Sequence, residues 1–516
     1  MKHKKAERRE ASKKRSSLLL VAVVVLATVQ IVTFLSVTHH NHPNPCDADV
    51  PMKKKKTSFT PSARRRKRKR ESLGNVSGTF NGYRIYYKDG AAKPIHSSVQ
   101  CVGHNFQTDL KRAGWIHRSC KFRHFCFDTR EKEFVLFRSP QELRMHEATH
   151  HREFMEASTS MNTSVAIGGI NSKWTWREGV PRLEWFPKVV QGDLQEGYYE
   201  LEPNVVWAIF HSLAAFNPGH LVWDDFLPIY TLLRMFNLLD DHQLLMMRYV
   251  LKGKGLWASC DMNSERQHDC AHMLGKFLPL MGLTSDNFTT NKHSVLKDTD
   301  GDLKSHLVCA RHGVAGIGML TDHGVKLHGW HTADFETMHN HGRGPMFYDF
   351  RNFMFSNLGL PSPPLSSDPP YVITFSLASS VTTLRQKTFE NQTRVLAEAF
   401  GDSIEIRSVE MKLLSVEEQV KLASQTAIYV TVCGGGAVTA TFLPVGATVI
   451  IYYQMEGGRY NSRRTFLPAR LDWDFFNNAA YLRPHWLPAE TSEEPEDLDA
   501  FVKLVEHELD IISHQE

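Results

Sequence analysis

The sequence predicts an α/β protein of more than one lobe, whose C-terminal part forms a parallel, Rossmann-like sheet. Between residues 371 and 453, short apolar runs typical of buried strands alternate with segments typical of helices. A Pro/Ser-rich segment from Pro361 to Pro370 separates this part from an earlier globular block. The chain has 516 residues, of which 42% are hydrophobic, and is long enough to bury a core in each block.

The C-terminal part contains four predicted strands and a helix with a clear start signal. Ser415 is followed by Glu417 and Glu418, and a hydroxyl at the N-cap with acidic residues in the first turn favours a helix start. Parallel sheets of this kind bind ligands at the carboxyl ends of their strands. The predicted strands are Tyr371–Ser376, Ser403–Val409, Ala427–Cys433 and Ala447–Tyr453, and the helix is Ser415–Ser424.

The earlier block becomes globular from about Cys101. It contains a β-rich run at Glu133–Phe137 and a long apolar helix around Leu221–Leu238. A break near Asn340–Gly344 ends it. We therefore expect an N-terminal lobe at residues 96–345 and a C-terminal lobe at residues 346–516.

The N-terminus predicts a membrane anchor. Residues 18–37 carry no charge, and these 20 residues would form a helix about 30 Å long, which matches the hydrocarbon core of a bilayer. Basic residues are frequent before this segment and absent from residues 38–52, so residues 1–17 should stay cytosolic. The apolar part of a cleaved signal peptide is usually shorter, which favours an uncleaved signal anchor. Residues 38–95, rich in Pro, Ser and basic residues, are typical of a disordered stem.

The charge distribution argues against a nucleic-acid partner. The formal net charge is +5, but the excess lies in the N-terminal basic runs and the remainder is nearly balanced. The run Arg64–Arg70 is expected to be an inert part of the stem, with a processing site for a basic-specific protease as the alternative.

The cysteines and sequons are compatible with a lumenal chain. Eight cysteines in such a chain are better interpreted as disulfide candidates than as metal ligands, and we expect the close pairs Cys120/Cys126 and Cys260/Cys270. Asn-x-Ser/Thr sequons, which predict glycosylation weakly, occur at Asn75, Asn162, Asn287 and Asn391.

A glycine turn is the first candidate binding element. The strand Ala427–Cys433 leads directly into Gly434, Gly435 and Gly436, and a predicted helix follows through Phe442. A glycine turn that opens a helix lets backbone N–H groups approach a diphosphate, which the helix dipole also favours. Three glycines can equally serve close packing of a strand against a helix, so the turn alone leaves both interpretations open.

Two motifs together resemble glycosyltransferase family 61. The segment CGGGAVTATFLPVGATVII, from Cys433 to Ile451, resembles the family's C-terminal signature of a His-Gly-Ala-Gly-type turn before Phe-Leu-Pro-x-Gly-Ala. The segment NPGHLVWDDFLP, from Asn217 to Pro228, resembles its Asn-Pro-x-His segment with following aspartates and Leu-Pro. The resemblance extends over roughly Cys101 to Ile512, and two ordered motifs are more specific than either alone.

The resemblance implies two facing Rossmann-like lobes of GT-B type and inverting transfer of a sugar from a nucleotide donor without an obligatory metal or cofactor. The donor would be a UDP-sugar, and the acceptor a glycan or glycoprotein. Together with the anchor, this implies a single-pass type II protein of the Golgi or endoplasmic reticulum membrane. The alternatives from other classes are a catalytically inactive lumenal glycan-binding protein of the same fold and a zinc peptidase.

Direct displacement requires a base that removes the acceptor proton. If the chain is helical from Leu221, His220 and Asp224 lie four residues apart on one face, so Asp224 could orient His220. The candidates for the base are Asp224, Asp225 and His220, although the aspartates could instead brace the start of the helix.

The resemblance also indicates residues that would hold the nucleotide. They are Gly434 to Gly436 with Thr439, and Arg385 and Lys387 as cations for the leaving diphosphate. Cys433 stands where the family often has histidine, and a thiol cannot donate a charged hydrogen bond.

Three other signals compete with this interpretation. The string HEATH at His146–His150 fits the zinc-protease pattern, but the chain has 27 histidines and shows no convincing third ligand, so a surface helix is preferred. The acidic string Asp298–Asp302 could bind a divalent ion, but a solvated turn is favoured. Histidines between His323 and His341 have irregular spacing, which suits surface or acceptor-groove roles as well as a metal site.

Overall fold

The structure is a computed structural model of the chain. It describes residues 75–90, 96–102, 119–138, 165–167, 184–194, 196–212, 214–240, 242–250, 260–261, 263–316, 343–377, 388–453, 470–489 and 491–514. Residues Glu71–Glu516 form one compact unit.

Two sheets organise this unit, one of twelve strands and one of five. The strands of the first sheet, with the small pair β6/β7, are β1 (Gly78–Phe80), β2 (Tyr83–Lys88), β3 (Ser98–Val102), β4 (Ser119–Asp128), β5 (Glu133–Arg138), β6 (Val165–Ala166), β7 (Glu184–Trp185), β8 (Lys188–Gln191), β9 (Tyr198–Leu201), β10 (Val205–Phe210), β11 (Gln243–Arg248), β12 (Phe288–Thr290), β13 (Leu296–Asp298) and β14 (Leu307–Gly316). The second sheet contains β15 (Tyr371–Ser376), β16 (Ile404–Val409), β17 (Ile428–Val432), β18 (Thr448–Tyr453) and β19 (Arg483–Pro488).

Helices connect the parallel strands of both sheets. The α-helices are α1 (Leu227–Met235), α2 (Ser264–Phe277), α3 (Gly344–Asn357), α4 (Glu390–Phe400), α5 (Val416–Ser424), α6 (Arg470–Phe476) and α7 (Pro495–Ser513). A helical turn at Pro218–His220 and a π-helical segment at Leu221–Phe226 precede α1 without a break. Segments of 3₁₀-helix lie at Leu278–Met281, Ser285–Asn287, Gly401–Ser403, Met411–Leu413 and Gly435–Phe442.

The first sheet is mixed. Strands β9, β14, β10, β11 and β12 are parallel to one another, and α1 and α2 connect β10 to β11 and β11 to β12. Strands β1, β2, β4 and β13 extend the sheet with antiparallel pairs. The first lobe therefore contains a Rossmann-like parallel unit within a larger mixed sheet.

The second sheet is entirely parallel, with the order β16-β15-β17-β18-β19. The predicted α/β alternation is confirmed, with strand and helix ends within one residue of those expected. Ser415 caps α5, because its hydroxyl accepts the N–H of Glu418 and the Glu418 carboxylate accepts the N–H of Ser415 in return. In this order, the direction of winding changes between β15 and β17, where such sheets bind ligands.

Two boundaries differ from the sequence prediction. The stem was expected to continue to residue 95, but β1 and β2 lie within that range and pair with β13 and β9. These strands bury Phe80 and Ile85 completely, so folded structure begins before the expected boundary. The apolar helix expected to reach Leu238 ends at Met235.

No helix within the described ranges is long and apolar enough to cross a bilayer. The predicted membrane span at residues 18–37 lies outside those ranges, as do the cytosolic tail at residues 1–17 and most of the stem.

Three disulfides close within the described part of the chain. Cys260 pairs with Cys270, as expected. The expected Cys120/Cys126 pair is wrong: Cys120 bonds Cys101 and Cys126 bonds Cys309. The reason is strand register, because Cys101 lies directly opposite Cys120 across β3 and β4, and Cys309 lies opposite Cys126 across β14 and β4.

A single hydrophobic core joins the two lobes. It contains residues from α1 and α3 together with Val449 and Ile451 of β18. Trp223 stacks on Phe475 of α6 with ring centroids 4.7 Å apart. Its indole Nε1 donates to Thr441 Oγ1 at 3.3 Å, which adds a directional contact to this packing.

Arg351 of α3 fixes one end of the glycine-led 3₁₀-helix. Its side chain is fully buried, and Nε and Nη2 donate to the carbonyls of Leu443 and Phe442 at 2.8 and 3.2 Å. The final carbonyls of a helix lack internal partners and carry partial negative charge, so a buried guanidinium satisfies both requirements.

Glu508 of α7 fastens that helix to the second sheet. Its carboxylate accepts hydrogen bonds from Thr448, from Arg483 Nε at 2.7 Å and from His485 Nε2 at 3.0 Å. Burial alone would raise the pKa of Glu508, but these hydrogen bonds together outweigh burial and lower the pKa to about 2.

We therefore predict that Glu508→Gln lowers the free energy of unfolding at pH 7 by roughly 2 kcal/mol, because charged hydrogen bonds are lost. Since the folded-state pKa is depressed, this contribution is complete above the unfolded-state pKa, about 4.3, and disappears as the pH falls towards 2. Denaturant unfolding followed by tryptophan fluorescence at pH 7 and pH 3 measures it. Glu506→Gln, an exposed change on the same helix, is the control, and equal midpoints for the two variants at pH 7 would contradict the prediction.

Candidate functional site

The two family-like motifs follow the carboxyl ends of strands from different sheets. After β10, residues 211–217 lead into the helical turn Pro218–His220. After β17, Cys433 leads into Gly434 and the 3₁₀-helix Gly435–Phe442. Both motifs are therefore where an α/β sheet presents ligand-binding groups.

The structure brings these motifs into direct contact. A Cβ atom added at Gly219 would lie 3.5 Å from the Cα of Gly435. Asn217 caps the turn, because its Oδ1 accepts the N–H of Gly219 at 3.0 Å. A Cβ added at Gly435 would overlap this Oδ1 and lie 3.2 Å from Pro218 Cδ. Glycine at 435 is thus required by close packing between lobes.

The first N–H of the glycine turn is already occupied. Gly434 has φ +125°, a conformation suited to glycine, and its N–H donates to Asp472 Oδ2 at 2.6 Å. The Cys433 thiol donates to the same oxygen at 2.9 Å. The three glycines are half-buried. The N–H groups of Gly435 and Gly436, at the start of the 3₁₀-helix, have no partner within that helix.

Thr439 supports the turn from inside the protein. It is 1% exposed, and its Oγ1 donates to Gln419 Oε1 at 3.1 Å. Tyr429 reaches the turn from β17, with its hydroxyl donating to the Gly436 carbonyl at 3.3 Å. Thr439 was predicted to bind the nucleotide, but burial directs its side chain to the core, so a direct contact with a ligand is not supported.

His220 and Asp224 form a pair. His220 Nδ1 lies 2.6 Å from Asp224 Oδ2, and the side chains are 20% and 1% exposed. Burial raises the pKa of Asp224 to about 6, although the hydrogen bond and charge of His220 act in the opposite direction. Asp224 Oδ1 is buried without a hydrogen-bond partner among the described residues. With Asp224 accepting from Nδ1, the ring nitrogen that can take up a proton is Nε2.

Asp225 lies on the other side of the same segment and faces inward. It is 5% exposed and accepts a hydrogen bond from Ser212. Burial raises its pKa to about 8, against the lowering effects of Ser212 and of the Arg248 charge. Its protonated form is thus favoured at neutral pH. Its hydrogen bond with Ser212 suits a structural role that holds the helix start in place.

Sequence reasoning missed the charged groups around this segment. Arg248 is the last residue of β11, and its Nη1 donates to Asp261 Oδ1 at 2.6 Å. His211 Nδ1 lies 2.9 Å from the Tyr249 carbonyl. These residues, and Asp472, belong to no sequence motif, and β10, which precedes His211, and β11, which ends at Arg248, were not predicted from the sequence.

Several sequence candidates lie outside the described residues: Arg385, Lys387, the HEATH string and the histidines from His323 to His341. Within the described part, no group of three or more His, Cys, Asp or Glu residues is arranged to hold a metal ion. The acidic string at Asp298–Asp302 forms a turn, as favoured, in which Asp298 accepts from Tyr199 and Asp300 pairs with Lys304.

The sequons differ in accessibility. Asn75 and Asn391 are exposed, although Asn391 Nδ2 donates to Glu493 Oε2 at 2.7 Å. Asn287 is half-buried and its Oδ1 accepts the N–H of Thr284 in a helix cap. Asn162 lies outside the described residues. Glycosylation at these positions stays a prediction.

Two cavities lie apart from this site. One of about 400 Å³ is lined by residues such as Val206, His242 and Asn357, and one of about 830 Å³ by residues such as Asp128, Lys188 and Leu307. Neither is lined by His220 or the glycine turn. The candidate site is identified by the polar groups that meet at the strand ends, and neither cavity contributes to it.

Comparisons with known proteins leave the family open. No known family and no curated protein matches the chain. Among solved structures, the metal-soaked Flv1 flavodiiron core from Synechocystis sp. PCC6803 is similar at 8% identity with a TM-score of 0.19. The alignment covers 48% of this chain and 53% of that one. A likeness this low carries no argument about fold or activity.

The packing of Gly435 gives a prediction. Gly435→Ala should lower the free energy of unfolding by roughly 1 to 3 kcal/mol, because the new methyl group overlaps Asn217. Thermal unfolding measures the loss. Gly275→Ala is the matched control, since no atom lies within 4 Å of its added Cβ and a helical alanine should stabilise α2.

A double variant tests the cause. Asn217→Gly removes the overlapping side chain at a cost of a few tenths of a kcal/mol as a helix cap. Combined with Gly435→Ala, it should recover part of the lost stability. Strict additivity of the two changes would show that the lobes do not meet at this point.

Proposed function

We propose that the chain is an inverting glycosyltransferase that transfers a sugar from a UDP-sugar to a glycan or glycoprotein acceptor. The two sheets would act as the lobes of a GT-B-type enzyme. The predicted anchor at residues 18–37 would hold it in the Golgi or endoplasmic reticulum membrane with its catalytic part in the lumen. Three disulfides within the described part are compatible with a secreted or lumenal chain.

The approach of the segment that carries His220 to the glycine turn supports the proposal. An acid–base pair from one sheet lies beside helix-opening N–H groups from another, because Gly219 and Gly435 are neighbours. Inverting transfer requires these two functions side by side: a base for the acceptor hydroxyl, and donors for the leaving diphosphate.

Exposure distinguishes among the three candidate bases. His220 is 20% exposed, whereas the Asp224 and Asp225 carboxyls are almost completely buried. A base must come within hydrogen-bond distance of the acceptor oxygen. We therefore assign His220 Nε2 as the base, Asp224 as the group that orients the ring and stabilises its charged form, and Asp225 as a brace.

The donor diphosphate would be held by backbone groups. The N–H groups of Gly435 and Gly436 are available at the helix start, and the helix dipole adds a favourable field. The N–H of Gly434 is committed to Asp472, whose negative charge opposes a diphosphate nearby. Cationic side chains are therefore needed, and Arg385 and Lys387 remain the candidates for that role.

One observation favours a second candidate, a catalytically inactive glycan-binding protein of the same fold. Asp472 already fills part of the anion site that the glycine turn would offer. If the carboxylate stays there, acceptor-like glycans could still bind beside His220 while the nucleotide could not.

The deciding experiment screens the full-length chain in detergent against a panel of nucleotide sugars by thermal shift, with and without EDTA. A ligand at one hundred times its Kd stabilises the folded state by about 2.7 kcal/mol, which is measurable. Stabilisation by a UDP-sugar that survives EDTA, followed by transfer or hydrolysis, supports the transferase. Binding of glycans without any nucleotide supports the inactive alternative.

For the proposed roles, His220→Asn and Asp224→Asn should each lower kcat by about 10² to 10⁴-fold, with UDP binding unchanged, because proton removal is lost or misdirected. Rates with the donor found in the screen measure this. His268→Asn and Asp269→Asn, at an exposed His/Asp pair on α2, are the controls. Wild-type rates in Asp224→Asn would remove Asp224 from the mechanism.

The pH dependence should follow Asp224. Below its pKa of about 6 the carboxyl group is neutral and can no longer stabilise a charged His220 ring, so kcat should fall as the pH drops through this value. A pH–rate profile between pH 5 and pH 8 checks the expectation. An acid limb that persists unchanged in Asp224→Asn would assign it to another group.

A further inference from the structure

Four basic side chains from three elements meet on one face of the first sheet. Lys121 and Arg123 are two residues apart on β4 and so point to the same face. His312 of β14 is the residue directly opposite Arg123 in the antiparallel register. The ring of His242, just before β11, lies 5.6 Å from the ring of His312. These four residues are called the basic cluster.

Among the described residues, the polar atoms of the basic cluster have no acidic partner. Arg123 is exposed, and neither it nor Lys121 forms an ion pair among the described residues. The Lys121 ammonium donates to the Phe236 carbonyl at 3.2 Å. His312 Nδ1 is buried and has no hydrogen-bond partner there. His242 Nδ1 lies 2.8 Å from the backbone carbonyl of Asp240.

The electrostatic field in the cluster is positive. Burial first, and then the charges of Lys121, His242, Arg123 and His124, lower the pKa of His312 to about 4. The pKa of Lys121 is also lowered, by burial and then by Arg123. The neighbouring positive charges thus disfavour the charged forms of Lys121 and His312, and no carboxylate is among the charges that act on His312.

Capping of α1 explains only part of the cluster. Phe236 follows the last residue of α1, and a cation near a helix C-terminus is stabilising. The helix end carries the equivalent of roughly half a negative charge. Lys121 and Arg123 carry two full positive charges, so the larger part of the charge remains uncompensated.

We propose that the basic cluster is a binding site for a small oxyanion, a phosphate or sulfate group, free or carried by a glycan. Arg123 provides a planar pair of donors, Lys121 a point charge, and the two imidazoles further N–H donors. Arg123 is exposed and Lys121 is partly exposed, so an anion can reach the site from solvent.

This site is separate from the candidate transferase site. The register pairs His312 with Val206 near the start of β10, whereas His220 follows the end of that strand. The helix between them, from His220 to Phe236, would extend over about 24 Å at the usual rise per residue. The inference therefore does not depend on the proposed activity.

The test is calorimetric titration of the full-length chain in detergent with sodium sulfate and sodium phosphate, with chloride adjusting the ionic strength. Wild type should bind one oxyanion saturably. Arg123→Gln should weaken binding about tenfold or more, since a charged hydrogen bond is lost. His312→Gln should weaken oxyanion binding too. This second variant shows whether the site involves more than Arg123.

Arg84→Gln is the matched control, because Arg84 is a 64% exposed arginine of the same sheet, paired with Glu202. The proposal is overturned if wild type shows no saturable binding, or if the Arg123 and Arg84 variants weaken binding equally.

A second arm identifies the source of the anion. A sulfated disaccharide and its unsulfated counterpart are titrated in the same buffer. Tighter binding of the sulfated sugar than of inorganic sulfate assigns the site to a modified glycan, and equal affinity for the two assigns it to the free ion. Equal binding of the sulfated and unsulfated sugars would contradict recognition of the anion.

Discussion

Two backbone segments from different sheets pack closely against each other at Gly219 and Gly435. A Cβ on Gly435 would overlap the Asn217 side chain of the opposite segment, whereas a Cβ on Gly219 would lie 3.5 Å from the Cα of Gly435. Backbone contact of this kind fixes position more tightly than contact between flexible side chains. It sets His220 beside the start of the 3₁₀-helix, and the surrounding residues preserve that arrangement.

Four residues hold the contact in place. Asn217 caps its own turn and so keeps the first segment rigid. Asp472 holds the glycine turn from the other side. Trp223 and Arg351 connect the following residues across the lobes, one through Phe475 and Thr441 and the other through two carbonyls. Because both lobes share one core, moving one against the other would expose apolar surface.

Local sequence patterns predicted the features that depend on residues close together in the chain. The strand Tyr371–Ser376, the Ser415 cap and the four-residue spacing of His220 and Asp224 depend on positions close in the chain. The sequence could not predict the contacts of Asp472 with Gly434 or of Arg248 with Asp261. These depend on how elements pack, which no periodicity encodes.

The same limit explains the errors. The first two strands are short, follow a polar segment and find partners more than one hundred residues away, so composition alone assigned them to the stem. The side chain of Thr439 follows a glycine turn in the sequence but faces the core, because the 3₁₀-helix turns it towards Gln419. Whether a side chain at this position is exposed depends on whether the helix is α or 3₁₀, and the sequence does not specify that.

The bond between Cys126 and Cys309 affects how the chain can be made. The two cysteines are 183 residues apart. At usual synthesis rates, the ribosome needs about 10 to 40 seconds to add that length of chain. During this interval Cys126 has only nearer cysteines to react with, among them Cys120, which is six positions away. Correct assembly therefore requires either that Cys101 occupies Cys120 early, or that a premature bond is exchanged later by a thiol–disulfide isomerase.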